Sequence, residues 1–429
     1  MNFDRLLFFR AALPALVAAA ALFSAATPVT ASAATPIVVS GVADSAGKQT
    51  VSFAALRTDK SAAAETFASV LRNDLSLSGW FIPTDRPEAS VKLAGSVRAA
   101  AGGGAAWSVE ALWRGSARKT WARAATAAEV RAAAHAVADS MVEEIAGKRP
   151  MAQSHILFVG KRAGATDIYE CDADGANLRR ITTDGKLCLS PNWNPRSDSF
   201  LYTSWISGAP AVYQVDLANR KRAVVSSFPG MNHGAVKSPR DGRAAVVLSL
   251  TGSVELYLLD VGSRRIADRL TRSRNASEAS PAWSPDGRTL AYTSDSGGVP
   301  RVYAMDVATR VPRRLVWAPD IRESVSPEFS CTGKLTFCGR SAGRYRIYVT
   351  DPARDPRTTP PEAISPADGA DYEDPSWAPD GRHVVCTRTS GYHRSLVVLD
   401  SLGDPPRELF RVAGEWYLPS WSDNAIRRN

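Results

Sequence analysis

From residue 156 onward the chain repeats one short pattern of apolar and polar positions. An apolar pair, two further residues and an aspartate recur as Ile168-Tyr169 to Asp172, Val212-Tyr213 to Asp216, and Leu256-Tyr257 to Asp260. The pattern continues with Val302-Tyr303 to Asp306, Ile347-Tyr348 to Asp351, and Leu396-Val397 to Asp400. The six aspartates step by 44, 44, 46, 45 and 49 residues. A second motif precedes the copies, strongest as Ser280-Pro-Ala-Trp283-Ser-Pro-Asp-Gly287 and Asp374-Pro-Ser-Trp377-Ala-Pro-Asp-Gly381. Weaker forms are Ser190-Pro-Asn-Trp193 and Ser326-Pro-Glu-Phe329, and the copy near Pro239-Arg240-Asp241-Gly242 has lost its aromatic. Between the motifs lie β-rich runs such as Phe200-Leu-Tyr-Thr-Ser204 and Leu290-Ala-Tyr-Thr-Ser294. Asp-Gly between such runs makes a hairpin, because positive φ costs glycine little. Each unit therefore predicts three or four short antiparallel strands, and units of this length are propeller blades.

The ends predict closure. The first unit opens at a strand, Ile156-Leu-Phe-Val159, with no Trp motif before it, and the last motif, Leu418-Pro-Ser-Trp421-Ser422, has no unit after it. Joining them completes a sixth blade and removes the open edges of the ring.

Residues 36 to about 148 lack the repeat. Phe67, Val70, Leu71 and Leu75 stand at helical spacing, with Gly79 as a stop. A capping-box pattern, Thr126-Ala-Ala-Glu129, opens a second helix through Val130, Val137, Met141 and Ile145 to Gly147. Trp107, Val109, Ala111 and Trp113 alternate as a half-buried strand, entered by a hairpin at 102–104. The fold class expected is α+β in two domains. A small N-terminal α/β domain (34–150) precedes an all-β six-bladed β-propeller (151–429) closed by pairing of its two ends.

Composition adds the compartment. Arg5 and Arg10, the apolar stretch 11–26 and Ala31-Ser32-Ala33 read as a cleavable signal peptide over 1–33, too short in its apolar run to span a bilayer. The mature chain is thus expected to start near Ala34 and to be exported and soluble. Hydrophobic residues at 45% and charged ones at 22% fit a folded soluble protein. The net charge of +9, from 42 Arg and 10 Lys, is scattered along the chain and predicts a solvated basic surface with no nucleic-acid partner. Five cysteines without a CxxC leave at least one unpaired within the chain.

No HExxH, G-x-S-x-G, Walker or G-x-G-x-x-G motif is present. Asp172-Ala-Asp174-Gly175 faintly resembles a calcium loop but lacks the later ligands, and reads as a turn. The repeated aspartates read as turn formers and the Trp motif as packing between blades. The segments before the Trp motifs differ from blade to blade, unlike residues needed only for folding. They carry Asn232 and His233, Asn275 and Glu278, Glu323, Asp371, Tyr372 and Glu373, and Glu415, Trp416 and Tyr417. This mixture suits a protein-binding face at one mouth of the central channel. Glu278, Glu323, Glu373 and Asn275 would also suit a metal site, as in a metal-dependent hydrolase or lactonase propeller. A propeller binding cell-wall carbohydrate is a further alternative.

In its leader, small α/β domain and six-bladed propeller with S-P-x-W-S-P-D-G motifs, the chain resembles the TolB family, periplasmic propellers of the Tol-Pal system. Leu256-Tyr-Leu-Leu-Asp260, Arg301-Val-Tyr303, Pro419-Ser-Trp421-Ser422, Leu71-Arg-Asn-Asp-Leu75 and Ser78-Gly-Trp-Phe81 match locally. The resemblance implies a monomeric, non-enzymatic adaptor without cofactor or metal, which maintains the outer membrane during constriction at cell division. It implies a Pal-like lipoprotein on the channel mouth, over the eleven residues from Asn232 to Tyr417 named above. It also implies a TolA-like inner-membrane protein on a mobile amino-terminal segment, here Ile37, Val39, Gly41, Val42, Asp44 and Ser45. The aromatic missing near Lys237 and a reordered loop at 230–234 depart from the family pattern.

Overall fold

The computed structural model describes residues 47–423 apart from 163 and 274. The leader and the segment 37–45 lie outside the described residues.

The amino-terminal region builds one five-stranded sheet covered by two helices. Its elements are β1 (Gln49–Thr58), α1 (Ala62–Leu77), β2 (Phe81–Thr84), β3 (Val91–Ala99), β4 (Ala105–Trp113), β5 (Ala117–Ala125) and α2 (Val130–Met141). The strand order is β2-β1-β3-β4-β5, with β1 parallel to both neighbours. Ser61 caps α1 by accepting the Ala64 N–H, and the helix buries Phe67, Val70, Leu71 and Leu75 as its spacing requires. Phe67 stacks on Trp107 of β4, with ring centroids 4.8 Å apart. The Thr126–Glu129 capping box is present, although it closes a short 3₁₀ turn ahead of α2. Beyond α2 the chain makes a π turn over Val142–Ala146 and stops at Gly147, whose φ of +65° ends the helix in a Schellman-type pair of bonds to Glu143 and Val142.

The remaining strands form six four-stranded antiparallel sheets. The first strand of each blade lines the channel: β9 (Cys188–Trp193), β13 (Asn232–Lys237), β17 (Glu278–Trp283), β21 (Glu323–Phe329), β25 (Asp371–Trp377) and β29 (Glu415–Trp421). The last of these pairs with β6 (His155–Arg162), Trp421 opposite Ile156 and Tyr417 opposite Val159. One blade is thus built from both ends of the propeller sequence, as expected.

Each inner strand carries a bulge at the same place. Ser190, Gly234, Ser280, Ser326, Asp374 and Leu418 all have φ between +50° and +58°, and the ladder slips there in every blade. The Ser-Pro half of the sequence motif is this bulge. The Trp half locks neighbouring blades: the indoles of Trp193, Trp283 and Trp377 donate to the carbonyls of Ser420, Val236 and Glu328 on the preceding inner strand. The repeated aspartates close turns, as Asp216 and Asp306 show by each accepting two backbone N–H groups just downstream. The five cysteines are all free thiols.

Two groups of polar contacts are prominent where the sheet-and-helix region meets the propeller. Arg131 and His135 of α2 face the Asp172–Gly175 turn. Propeller residue Arg382 lays its guanidinium over the Trp80 ring at 4.4 Å and reaches Asp404, which also receives Lys48. Gly79 makes room for that arginine, since a Cβ there would stand 2.4 Å from the guanidinium carbon.

Candidate functional site at the channel mouth

The beginnings of all six inner strands share one end of the channel with the hairpins joining each blade's second and third strands, because those strands pair antiparallel. The eleven residues expected at the mouth divide there into two sets.

One set is buried framework. Asn232 is 0% exposed; its Oδ1 accepts from Ser226 and the Phe228 N–H, and its Nδ2 donates to the Phe228 carbonyl, stapling the loop ahead of β13. Glu278 is buried and accepts from Thr271 and Ser294, each at 3.2 Å, while burial raises its pKa. Tyr372 donates its hydroxyl to Asp368 at 3.0 Å. Trp416 packs edge-on against Phe158 and Tyr169 and donates to the Val412 carbonyl. Tyr417 is buried beneath the Arg394 guanidinium, 5.1 Å from its ring centre.

The other set reaches solvent. His233 is half-buried, its Nε2 3.2 Å from the Ser190 hydroxyl of the neighbouring inner strand, and Asn275 is exposed. Glu323 accepts from Arg340 at 3.1 Å and from the Tyr345 hydroxyl at 2.7 Å. Asp371, in the next blade, accepts from Arg344 at 3.0 Å and from the backbone N–H of the same Tyr345 at 2.9 Å. Tyr345 therefore ties two candidate carboxylates across a blade boundary. Glu415 takes the Lys161 ammonium at 3.0 Å. Glu373 is driven the other way: burial first, then Asp374 and Asp371 beside it, push its carboxyl up to about 8 against the pull of Arg394.

The expected alternative metal set does not assemble. Glu278 is engaged by Thr271 and Ser294 and Glu323 by Arg340 and Tyr345, and among the described residues one group has ligand-like spacing, His135 with Asp172 and Asp174, away from the mouth. Sequence reading missed the cations of the mouth. Lys161, Arg340, Arg344 and Arg394 come from the second and third strands and their hairpins, and the same hairpins present Tyr392, 93% exposed. A Gly-flanked exposed aromatic, as in Ser390-Gly-Tyr-His393, was the available signal. The mouth thus offers alternating acids, cations and aromatics over a deeper ring of Ser190, Asn192, Ser326, Glu328 and Asp374.

Comparison with known proteins follows the same outline. The family described as PD40, TolB beta propeller domain, matches residues 142–425. The Protein TolB homolog of Chlorobium luteolum is 28% identical over 301 residues, covering 68% of this chain and 65% of that protein. The Tol-Pal system protein TolB of Bordetella pertussis is 31% identical over 178 residues, 42% of this chain and 40% of that protein. The matched stretches thus span less than two thirds of these curated relatives. The crystal structure of TolB from Acinetobacter baumannii superposes with a TM-score of 0.77 at 22% identity, over 88% of this chain and 97% of that one, and shares the fold. With its propeller matched over more than half of its length, the chain belongs to the TolB family.

Proposed function

We propose that this chain is a non-enzymatic periplasmic adaptor of the Tol-Pal system. In this reading it binds a Pal-like peptidoglycan-associated lipoprotein at the channel mouth and a TolA-like inner-membrane protein through residues 37–45. The pair of contacts would keep the outer membrane attached during constriction at division. The observation that carries the reading is the ring of unlike groups from successive blades that reach solvent at least in part, exposed Asn275 and half-buried His233, Glu323, Asp371, Glu373 and Glu415, set on a framework that otherwise repeats. Charged and aromatic groups already oriented by Arg340, Arg344, Tyr345 and Lys161 suit the polar rim of a protein interface. The buried Asn232, Glu278, Tyr372, Trp416 and Tyr417 serve the same face by fixing its loops.

A partner on the mouth that prefers one state of the amino-terminal segment shifts that segment's equilibrium, and the coupling is reciprocal. The test is calorimetric titration of residues 34–429 with the periplasmic domain of the same organism's Pal-like lipoprotein. Saturable binding at about micromolar affinity, weakened by changing His233 and Glu373 together, is expected. No heat from the folded protein at high partner concentration would sink the reading.

A further inference from the structure

Helix α2 lays two side chains one turn apart, Arg131 and His135, against the Asp172-Ala-Asp174-Gly175 turn of the propeller. His135 is 5% exposed. Its Nδ1 sits 2.6 Å from the Asp74 carboxylate, itself buried on α1. With Nδ1 held by Asp74, Nε2 faces the propeller. There Nε2 has no hydrogen-bond partner and stands 3.7 Å from Asp172 Oδ2.

A buried imidazole nitrogen without a partner, aimed at two carboxylates, is the geometry of a ligand set. The candidate ligand atoms of His135, Asp172 and Asp174 all lie within 4.8 Å of one another. Three such atoms can reach one ion at bond lengths of about 2.0–2.2 Å with small side-chain movements. The surroundings add the outer layer such sites use. Asp74 holds the far nitrogen of the imidazole, and Asn177 Nδ2 donates to Asp172 Oδ2 at 2.7 Å.

We propose that His135, Asp172 and Asp174 form a transition-metal site, zinc being the ion that suits it, which pins the amino-terminal domain to the propeller. Imidazole with two carboxylates favours zinc over calcium or magnesium, which take all-oxygen sets. The ligands come from both regions of the chain, so the ion clamps their junction, with a fourth position left to water. Arg131 is the rival cation. Its Nη2 lies 2.5 Å from Asp174 Oδ2 and its Nε 3.6 Å from Asp172, yet 28% of its side chain is exposed and can turn outward when an ion takes its place. This site is independent of the mouth and of the adaptor reading.

The test is zinc chloride titrated calorimetrically into chelator-treated protein, residues 34–429, alongside Asp174→Asn and Arg131→Gln, with folding of each checked by circular dichroism. The expected result is one zinc per chain, a raised thermal midpoint, binding weakened about tenfold or more in Asp174→Asn, and binding severalfold tighter in Arg131→Gln. A merely structural ion pair would make Arg131→Gln neutral or harmful, with no gain in zinc affinity. Absence of saturable binding at millimolar zinc, wild-type affinity in Asp174→Asn, or weaker binding in Arg131→Gln would each overturn the proposal.

Discussion

The Trp193 indole donates from Nε1 to the Ser420 carbonyl oxygen at 3.0 Å, joining residues 227 positions apart across the boundary between the first complete blade and the closing one. The Trp193 backbone N–H also donates to the Ser420 hydroxyl oxygen, at 3.2 Å. Closure of the ring thus rests on the β29–β6 ladder and on this inter-blade contact.

Replacing Trp193 by Phe keeps most of the packing and removes the donor, leaving the buried Ser420 carbonyl short of a partner. The expected loss is about 1 kcal/mol. Trp193→Ala adds a cavity and should cost about 3–5 kcal/mol. Urea unfolding midpoints check both, and Trp283→Phe should cost a similar amount because its indole makes the same bond to Val236.

The blade count and the closure were legible because the turn-closing Asp recurs in all six units at a near-fixed period, and a Trp that must reach the preceding strand and an Asp-Gly hairpin mark several of them. The bulge was not legible. Ser190, Ser326 and Leu418 give no sign of positive φ, and only Gly234 at the equivalent place hints at it. The mouth was half legible: the inner-strand segments are where they were expected, but burial of Asn232 or Trp416 depends on neighbouring blades. So does the pairing of Asp371 with Arg344, 27 residues away. The junction was hidden for the same reason, since Asp172 and Asp174 read as a turn until α2 brings His135 beside them.

Gly79 is expected to control that junction at its other contact, the Arg382 guanidinium over Trp80. Its φ is +71°, and the Arg382 guanidinium occupies the space a side chain would need. Gly79→Ala should cost about 1–2 kcal/mol in backbone strain alone and displace Arg382 from Trp80 and Asp404. Limited proteolysis around residues 147–153 should then be faster than in the wild type. Unchanged cleavage would mean that the Arg382 contact contributes nothing to holding the two regions together.

Glu373 should make stability depend on pH with a definite sign. Its carboxyl is raised from 4.5 to about 8 by burial and by its acidic neighbours, so the folded state holds the proton more tightly than the unfolded chain. Its contribution is fully present below about 4.5 and is lost as pH rises through about 8. Glu373→Gln keeps the shape and removes the titration. Wild type and variant should therefore differ increasingly in the variant's favour between pH 5 and 9. Parallel stability curves across that range would show that the carboxyl ionises without penalty.

Asn232 and Asn275 provide the sharpest separation of framework from contact surface, because the same amide stands in opposite surroundings. Asn232 is fully buried and satisfies three polar groups of the loop before β13, whereas Asn275 is exposed. Asn232→Ala strands the Phe228 N–H and the Ser226 hydroxyl, and should destabilise the protein by about 1–3 kcal/mol. Asn275→Ala should leave stability within about 0.5 kcal/mol of wild type. Affinity for the Pal-like domain should respond in the reverse order at a temperature where both variants are folded. Asn275→Ala should weaken binding mainly through faster dissociation, measurable by surface plasmon resonance. Asn232→Ala should weaken it only as far as the loop loses its shape, and a second substitution that restores loop rigidity should recover it. If Asn275→Ala binds as tightly as wild type while His233→Ala does not, the contact surface lies on the β13 side of the mouth and leaves out the loop ahead of β17.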